Sequence, residues 1–313
     1  MKFSLSTNIH IHLEHTKCRW IGSLGGKMKK YFRNGLWISR TILACSAFLV
    51  LCQTPVQAED DLLAKINKRG EFIVGTEARY APFEFVENGK IVGYSADVIE
   101  KVMEAFPNVR LNRLDLPFQG ILPGLQAKKF DYVVTSIVAD KSRFEKFALS
   151  IPIADATVSI IKRKSDTSIN KPEDLGGKTI GTQAGSVPLG DVNLFAEKLK
   201  EQGIPIKQVK TYVGFEEAYA DLIAGRIDAV ANTLPALFMA TQKRPDDFEI
   251  VMPAFGPVRY ITWAGRKDED SVTLIAKINA RLQELNKDGT LNELQEKWLG
   301  GSAELPLELP APQ

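Results

Sequence analysis

Two residues seven positions apart, Ser136 and Arg143, could together hold a small anion. Ser136 follows a predicted buried strand over 132–135, and Arg143 falls in the first turn of a predicted helix. A guanidinium carries a fixed charge, and its paired N–H donors match the two oxygens of a carboxylate. The spacing therefore predicts a carboxylate site just beyond a strand end, where free backbone N–H groups of the helix start would add donors. The alternative is a surface arginine that pairs with nearby acids.

The elements that would position these residues alternate between short apolar runs and helical periods, which is typical of α/β domains. Strands are predicted over 72–76, 109–114, 132–135, 158–161, 178–182, 206–211, 227–231 and 259–265. Helices are predicted over 96–106, 120–128, 189–202, 215–224, 234–241, 272–286 and 291–298. The Pro-rich stretch 305–313 is predicted to be a loose tail.

The order of these elements predicts two lobes, each a sheet flanked by helices. Lobe 1 comprises 59–152 plus 258–313, and lobe 2 comprises 157–254. Residues 153–156 and 255–257 form the hinge. A connection by two chain segments suits closure of the lobes over a ligand.

Residues 1–58 differ in composition from the rest of the chain. A basic stretch at 28–33, a 12-residue apolar run at 41–52 and the small residue Ala58 predict a secretory signal peptide over 28–58, cleaved after Ala58. The apolar run is short for a bilayer span, which disfavours a membrane anchor. Lipidation at Cys45 or Cys52 fits the flanking residues poorly. We therefore expect an exported, periplasmic protein.

Charge and residue usage exclude several classes of function for residues 59–313. Eight of the 40 Lys and Arg and one of the 38 Asp and Glu lie in residues 1–58, so the remainder carries a formal charge of about −5. A basic nucleic-acid-binding surface is therefore not expected. All Cys and His also lie in residues 1–58, which excludes disulfides, Cys/His metal sites and Cys- or His-based nucleophile systems from the remainder. We expect neither a cofactor nor a metal.

Short motifs spread over residues 70–300 give the chain a specific resemblance. They are Tyr80–Phe85, Gly93-Tyr94, 118–125, Phe130-Asp131, Arg143, 174–178, 225–229, 286–290 and Lys297-Trp298. In this order and spacing the chain resembles the family 3 extracellular solute-binding proteins. These are periplasmic receptors of ABC importers for polar amino acids, among them the glutamine-binding protein. The resemblance implies a type II two-lobe binding fold, a monomer, and an ABC permease of the inner membrane as partner.

The resemblance also implies roles for residues of the first lobe. Arg143 would bind the ligand α-carboxylate with both guanidinium nitrogens, and Phe118 and Tyr80 would sandwich the ligand stem, although ordinary core packing is the alternative for both rings. Ser136 would offer its backbone carbonyl to the ligand ammonium. Val138 replaces a usual threonine and keeps only its N–H for the ligand.

Glu77 matches a position that often holds an acid facing the ligand side chain; a solvated loop acid is the alternative. In the second lobe, the loop that contains Gln183, Ser186 and Val187 would complete the carboxylate cradle with its N–H groups. Asn232 and Thr233 match the place where the family puts an acid for the α-ammonium, and Thr233 cannot supply that charge. Either another acid serves, or the ligand lacks an ordinary primary α-amine.

Three functions remain open. The first is a binding protein that captures a small polar amino acid or amino-acid derivative by its carboxylate and delivers it to a permease. The second is a periplasmic dehydratase-like enzyme on the same fold, in which Glu77 or another carboxylate would act as acid or base. The third is an extracytoplasmic ligand sensor. Such sensor domains sit in larger membrane proteins, whereas this sequence shows no transmembrane helix after Trp298, which disfavours a sensor unless it acts with a separate partner.

Overall fold

The computed structural model describes residues 61–311, and the predicted signal peptide lies outside them. The described residues form the predicted mixed α/β architecture of two main sheets flanked by helices, with one small additional sheet. None of the helices between residues 61 and 311 has the length and apolar character that a membrane crossing requires.

The first sheet joins strands from both ends of the described chain. Its strands are β1 (Glu71–Thr76), β5 (Arg110–Asp115), β6 (Tyr132–Val138), β7 (Phe147–Leu149), β8 (Ala154–Asp155) and β14 (Tyr260–Arg266). The order is β5-β1-β6-β14-β7, with β8 also on β14. β1 is parallel to β5 and β6, and β14 returns antiparallel to β6.

The second sheet repeats this plan with the middle of the chain. Its strands are β9 (Val158–Arg163), β10 (Thr179–Gln183), β11 (Gln208–Tyr212), β12 (Ala229–Thr233) and β13 (Phe248–Phe255). The order is β11-β10-β12-β9-β13, in which β10 is parallel to both neighbours and β9 runs antiparallel to β12. A separate three-stranded sheet consists of β2 (Arg79–Tyr80), β3 (Glu84–Glu87) and β4 (Lys90–Val92).

Nine α-helices pack around the sheets of the described chain. They are α1 (Leu62–Arg69), α2 (Tyr94–Met103), α3 (Phe118–Gln126), α4 (Lys141–Lys146), α5 (Val187–Glu201), α6 (Phe215–Ile223), α7 (Leu234–Lys243), α8 (Val272–Lys287) and α9 (Thr290–Leu299). We call the residues around the first sheet the first lobe and those around the second sheet the second lobe. The chain passes between the sheets after Asp155 and again after Phe255. The exact lobe boundaries and the hinge at 153–156 and 255–257 stay predictions.

Helix α3 packs closely on strand β1 because two glycines make room for one aromatic ring. A Cβ added at Gly75 would lie 2.6 Å from the Phe130 ring, and one added at Gly124 would lie 2.8 Å from it. The ring is buried, so it has little freedom to move aside. This contact holds the C-terminal half of α3 against β1.

Strand β6 is longer than the sequence predicts. The polar pair Thr135-Ser136 ended the predicted strand, yet β6 continues to Val138 and all seven of its residues are buried. Both hydroxyls contact the buried carboxylate of Glu84, which explains how polar side chains remain inside the sheet. Ser136 therefore lies within the strand, and the expectation that it follows the strand end was wrong.

The Pro-rich tail is packed in part, which contradicts the expectation of a loose segment. Leu305 is buried, and its carbonyl accepts a hydrogen bond from Asn286 Nδ2 (3.1 Å). The Leu307 carbonyl accepts another from Gln283 Nε2 (3.0 Å) on the same helix, α8. Sequence reasoning also missed α1, the small sheet and β13, whose alternation is interrupted at Pro253.

Candidate ligand-binding site

The predicted site residues meet where the two lobes face each other. Most lie at or just beyond the carboxyl ends of β1, β6, β10 and β12 or at the starts of α3 and α5, whereas Tyr80 lies in β2 and Arg143 in α4. Ligands of open α/β sheets bind at such strand ends. A small cavity there is lined by Glu77, Tyr80, Phe118, Ser136, Val138, Arg143, Gln183, Ser186, Val187, Pro188, Phe215 and Asn232. Among the predicted site residues, Thr233 alone is not in this lining.

Arg143 is a buried cation held between the lobes. Its Nη1 donates to the Val138 carbonyl (2.8 Å) at the end of β6, and its Nη2 donates to the Gly185 carbonyl (3.0 Å) of the second lobe. The guanidinium also lies over the Phe118 ring, 5.6 Å from its centroid. Burial excludes the alternative of a solvated surface arginine. The charge faces a cavity in which an anion would be its natural partner.

The surroundings compensate the Arg143 charge only in part. Burial lowers the pKa of Arg143, the nearby Asp140 carboxylate opposes that shift, and Arg259 adds to it. Asp140 Oδ2 lies 3.9 Å from Arg143 Nε, which is a long contact. Asp140 also caps α4 by accepting from the Arg143 backbone N–H (2.8 Å). The expectation of free N–H groups at this helix start was therefore wrong for Arg143, because its own N–H has a partner.

Aromatic rings form two walls of the cavity. Phe118 is the first residue of α3, and Tyr80 ends β2 in the small sheet. Tyr80 stacks on Phe83 (5.5 Å between centroids) and packs against Phe215 of the second lobe (5.6 Å). Rings of this kind can bind the aliphatic stem of a ligand through their faces.

Glu77 is a buried acid at the lobe interface, which excludes the alternative of a solvated loop acid. Its Oε1 accepts a hydrogen bond from Gln183 Nε2 (2.7 Å) across the interface, and that amide also donates to the Val213 carbonyl (3.1 Å). Burial, and next the charge of Glu84, raise the pKa of Glu77 to about 8. A cationic group of a ligand would favour the ionised form.

Glu84 is a second buried acid, which sequence reasoning quoted in a motif but did not assign to the site. Its Oε1 accepts from Thr135 Oγ1 (2.5 Å) and from the Ser136 backbone N–H (2.8 Å). Burial raises the pKa of Glu84 to about 7, against the opposing effect of these hydrogen bonds. The available signal for Glu84 was its place as an acid inside an otherwise apolar motif. A carboxylate that is buried there needs a partner, which makes it a candidate site residue.

The second lobe contributes a helix start and a polar strand end. Ser186 caps α5 by accepting from the Leu189 N–H (3.3 Å), and Val187 is the first residue of that helix. Asn232 and Thr233 end β12, where Asn232 Oδ1 accepts from the Tyr80 hydroxyl (2.9 Å) and Thr233 Oγ1 lies 2.8 Å from it. Thr233 thus does not line the cavity itself but contacts Tyr80, which does.

The cavity is small because side chains from both lobes meet across it. Its volume is about 20 Å³, little more than one water requires. Besides the contacts of Arg143, Glu77 and Tyr80, the side-chain amide of Gln119 in α3 donates to the carbonyls of Ala184 (3.0 Å) and Val213 (3.1 Å). Phe215, Pro188 and Gln119 were not predicted; Phe215 could have been expected because it starts a helix directly after a parallel strand.

Metal-binding geometry is absent from residues 61–311, where no group of three or more His, Cys, Asp and Glu side chains could share an ion. The cavity offers one guanidinium, the buried carboxyl group of Glu77, backbone carbonyls and aromatic faces, while the carboxyl group of Glu84 lies outside its lining. Such a set can bind a small molecule that carries both a carboxylate and a cationic group.

Three known proteins are similar to this chain in sequence or in fold. The L-cystine-binding protein of Escherichia coli (strain K12) is 28% identical over 245 residues, which are 78% of this chain and 88% of that protein. An amino acid ABC transporter substrate-binding protein from Streptococcus pneumoniae, solved bound to L-arginine, is 27% identical with a TM-score of 0.68 and covers 77% of this chain and 99% of that one. An ancestral amino acid-binding protein, described as a precursor of cyclohexadienyl dehydratase, is 28% identical with a TM-score of 0.65 and covers 76% and 99%.

The family assignment follows from a match over most of the chain. Residues 72–301 match the family of bacterial extracellular solute-binding proteins, family 3. The match includes both main sheets apart from Glu71, the first residue of β1, and it includes every predicted site residue. The fold is the two-lobe arrangement of periplasmic binding proteins. The chain belongs to family 3 of the bacterial extracellular solute-binding proteins.

Proposed function

We propose that this protein is the substrate-binding component of an ABC transporter. It captures a small polar amino acid or an amino-acid derivative by its carboxylate and delivers the ligand to the permease. Its family, and its similarity to an amino acid ABC transporter substrate-binding protein from Streptococcus pneumoniae, support this function. We further propose that the protein resides in the periplasm, acts as a monomer and delivers its ligand to a permease in the inner membrane.

The observation that carries the proposal is the buried Arg143 guanidinium at the lobe interface. Its Nη1 and Nη2 donate to one carbonyl from each lobe, so the same side chain contacts both lobes. A ligand carboxylate that binds this fork would replace the bond to Gly185 and satisfy a buried charge. That exchange is favourable because a charge-assisted, two-point contact replaces a neutral acceptor.

Glu77 supplies the cation-binding half of the proposed site. The resemblance places an acid near Asn232 and Thr233, and neither residue is acidic. Glu77 lines the same cavity as Arg143 and lies within hydrogen-bonding distance of Gln183 in the second lobe. We assign to Glu77 the ammonium or guanidinium group of the ligand, so the preferred class is amino acids and derivatives that carry a cationic group beside the carboxylate.

A thermal-shift screen of the mature protein against amino acids, followed by calorimetry with L-arginine, tests this function. Arg143→Ala should cost about 3–5 kcal/mol of binding, because it leaves the ligand carboxylate unpaired. Arg143→Lys should bind with an affinity between those of the wild type and Arg143→Ala, because lysine keeps the positive charge but cannot make the two-point contact with a carboxylate.

The matched control is Arg266→Ala, which removes another buried arginine outside the cavity. It should lower the melting temperature and leave the dissociation constant unchanged. Equal affinities of wild type and Arg143→Ala would refute the carboxylate assignment.

The second candidate is a dehydratase-like enzyme, favoured by one specific observation. Glu77, with a pKa raised to about 8, keeps its proton at neutral pH and could act as a general acid on a bound carboxylate substrate. The similar dehydratase precursor shares this fold. Incubation with prephenate-like acids distinguishes the two functions, because a binding protein returns its ligand unchanged and an enzyme releases a product.

A further inference from the structure

A second and larger cavity adjoins the small one that contains Arg143. Its volume is about 330 Å³, in the range of small-molecule sites. It lies between the small sheet of the first lobe and helices α6 and α7 of the second lobe. Tyr80, Phe215 and Asn232 line both cavities.

The partition between the cavities consists of polar contacts. The Tyr80 hydroxyl donates to Asn232 Oδ1 (2.9 Å) and lies 2.8 Å from Thr233 Oγ1. Asn232 Nδ2 in turn donates to the Tyr219 hydroxyl (3.2 Å). A ligand that reaches from one cavity into the other would therefore pass beside the Tyr80 ring, whose faces can pack against methylene groups, while the Tyr80 hydroxyl keeps its partners.

The walls of the large cavity suit an apolar chain. Four aromatic rings follow one another along it, with centroids 5.6 Å apart for Tyr80 and Phe215, 6.3 Å for Phe215 and Tyr219, and 5.8 Å for Tyr219 and Phe248. Small and aliphatic side chains complete the walls: Ala81, Ala220, Ile223, Ala236, Met239 and Ala240. Methylene groups gain from burial against such surfaces.

The charged residues that line this cavity are mostly basic. Arg79, Lys243 and Arg244 line it, against one acid, Glu216. Arg79 pairs with Asp115 (3.1 Å) and Arg244 with Asp247 (3.3 Å). Lys243 forms no ion pair with any residue between 61 and 311; its Nζ lies 4.9 Å from the centroid of the Phe85 ring. Among the three basic side chains that line the cavity, Lys243 is thus the one whose charge has no carboxylate partner between residues 61 and 311 and is available to an anionic group of a ligand.

We propose that the large cavity is a second subsite of the same binding site and takes the distal carboxylate of an elongated amino-acid derivative. The α-carboxylate binds Arg143, the chain passes the partition beside Tyr80, and the second carboxylate meets Lys243. This proposal rests on the proposed function and narrows its ligand class to amino acids that end in a second carboxylate after an apolar spacer.

The test compares two ligands that differ only at the far end. L-2-Aminosuberate carries a carboxylate there, and L-2-aminooctanoate carries a methyl group on a chain of the same length. Calorimetry should show that the wild-type protein binds L-2-aminosuberate at least tenfold more tightly. Lys243→Met should reduce this ratio five- to tenfold and leave the affinity for L-2-aminooctanoate unchanged.

Lys277→Met is the matched control, because the Lys277 ammonium also lies over an aromatic ring, 5.0 Å from the Phe106 centroid, and does not line the cavity. It should leave both affinities unchanged. A second variant, Ala240→Phe, fills the cavity and should weaken L-2-aminosuberate at least tenfold. Equal binding of the two ligands, or equal effects of Lys243→Met and Lys277→Met, would overturn the proposal.

Failure of this proposal can be told apart from failure of the proposed function. If L-arginine binds in a manner that depends on Arg143 while L-2-aminosuberate does not bind, only the second subsite is refuted. If neither ligand binds in a manner that depends on Arg143, the carboxylate site itself is refuted.

Discussion

At the scale of single residues, the site pairs one buried cation with two buried acids. Arg143 lies in the first lobe with one bond to the second, and Glu77 lies near its partner Gln183. Glu84 accepts a hydrogen bond from the Ser136 backbone N–H, and its charge adds to the rise in the pKa of Glu77. Where a ligand cation favours the ionised form of Glu77, the small cavity carries opposite charges, which suit a zwitterionic or cationic ligand better than a simple anion.

We expect the affinity for L-arginine to rise with pH through the titration of Glu77. The pKa of Glu77 is raised to about 8, so the group is protonated at pH 6. A ligand cation favours the carboxylate form, and binding then releases a proton. Affinity should increase by up to about tenfold per pH unit between pH 6 and 8 and level off above. Calorimetry across this range measures it.

Glu77→Gln should flatten this pH profile, because the glutamine cannot release a proton. Glu87→Gln, which changes an exposed acid on β3, is the control and should leave the profile as in the wild type. An unchanged profile in Glu77→Gln would mean that another group takes up the proton.

The sequence predicted most of the residues that line the cavity, because their spacing fits a known family pattern. It could not predict that the Arg143 N–H is used by Asp140, since capping depends on the rotamer of a neighbouring side chain. Nor could it predict the burial of Glu84, which depends on Thr135 and Ser136 from a strand about 50 residues away.

At the scale of elements, the packing of α3 on the first sheet determines where Phe118 and Gln119 lie. Gly75, Gly124 and Phe130 form this contact. The apolar runs of parallel strands such as β6 were visible in the sequence. The two- to four-residue strands of the small sheet were not, because such short segments show too little alternation to be recognised.

We expect Gly124→Ala to destabilise the protein by about 1–3 kcal/mol, since the new methyl group would overlap the Phe130 ring. Gly120→Ala in the same helix is the control, because no atom lies within 4 Å of an added Cβ. It should be neutral or stabilise the helix by up to about 1 kcal/mol. Urea unfolding measures both, and equal effects of the two variants would contradict the packing argument.

At the scale of the whole molecule, polar contacts connect the two lobes around the cavity. Besides the contacts of the site itself, Arg259 after the second crossover forms a buried ion pair with Asp191 of α5, 2.8 Å between Nη2 and Oδ1. The two-sheet plan could be predicted from the order of strands and helices. The contacts between the lobes could not, because they join residues far apart in the sequence and depend on how the lobes meet.

We expect Gln119→Ala to speed ligand release, because it removes two hydrogen bonds between the lobes, to Ala184 and Val213. Each bond contributes about 0.5–1.5 kcal/mol at most, and less where exposed, so the dissociation rate of L-arginine should rise roughly three- to tenfold. Stopped-flow fluorescence measures it. Gln126→Ala, at the exposed end of the same helix, should leave the rate unchanged; a similar rise there would point to a general loosening of α3.

The absence of cysteine from residues 61–311 has a practical consequence for the surface beside the cleft. Val213, whose carbonyl accepts from Gln119 across the lobes, is a 56% exposed residue. A Val213→Cys variant of residues 59–313 would carry a single thiol, to which one environment-sensitive dye could be attached. Capture of a solute would then be read as a change in emission, so the protein can serve as an optical reporter for unlabelled compounds.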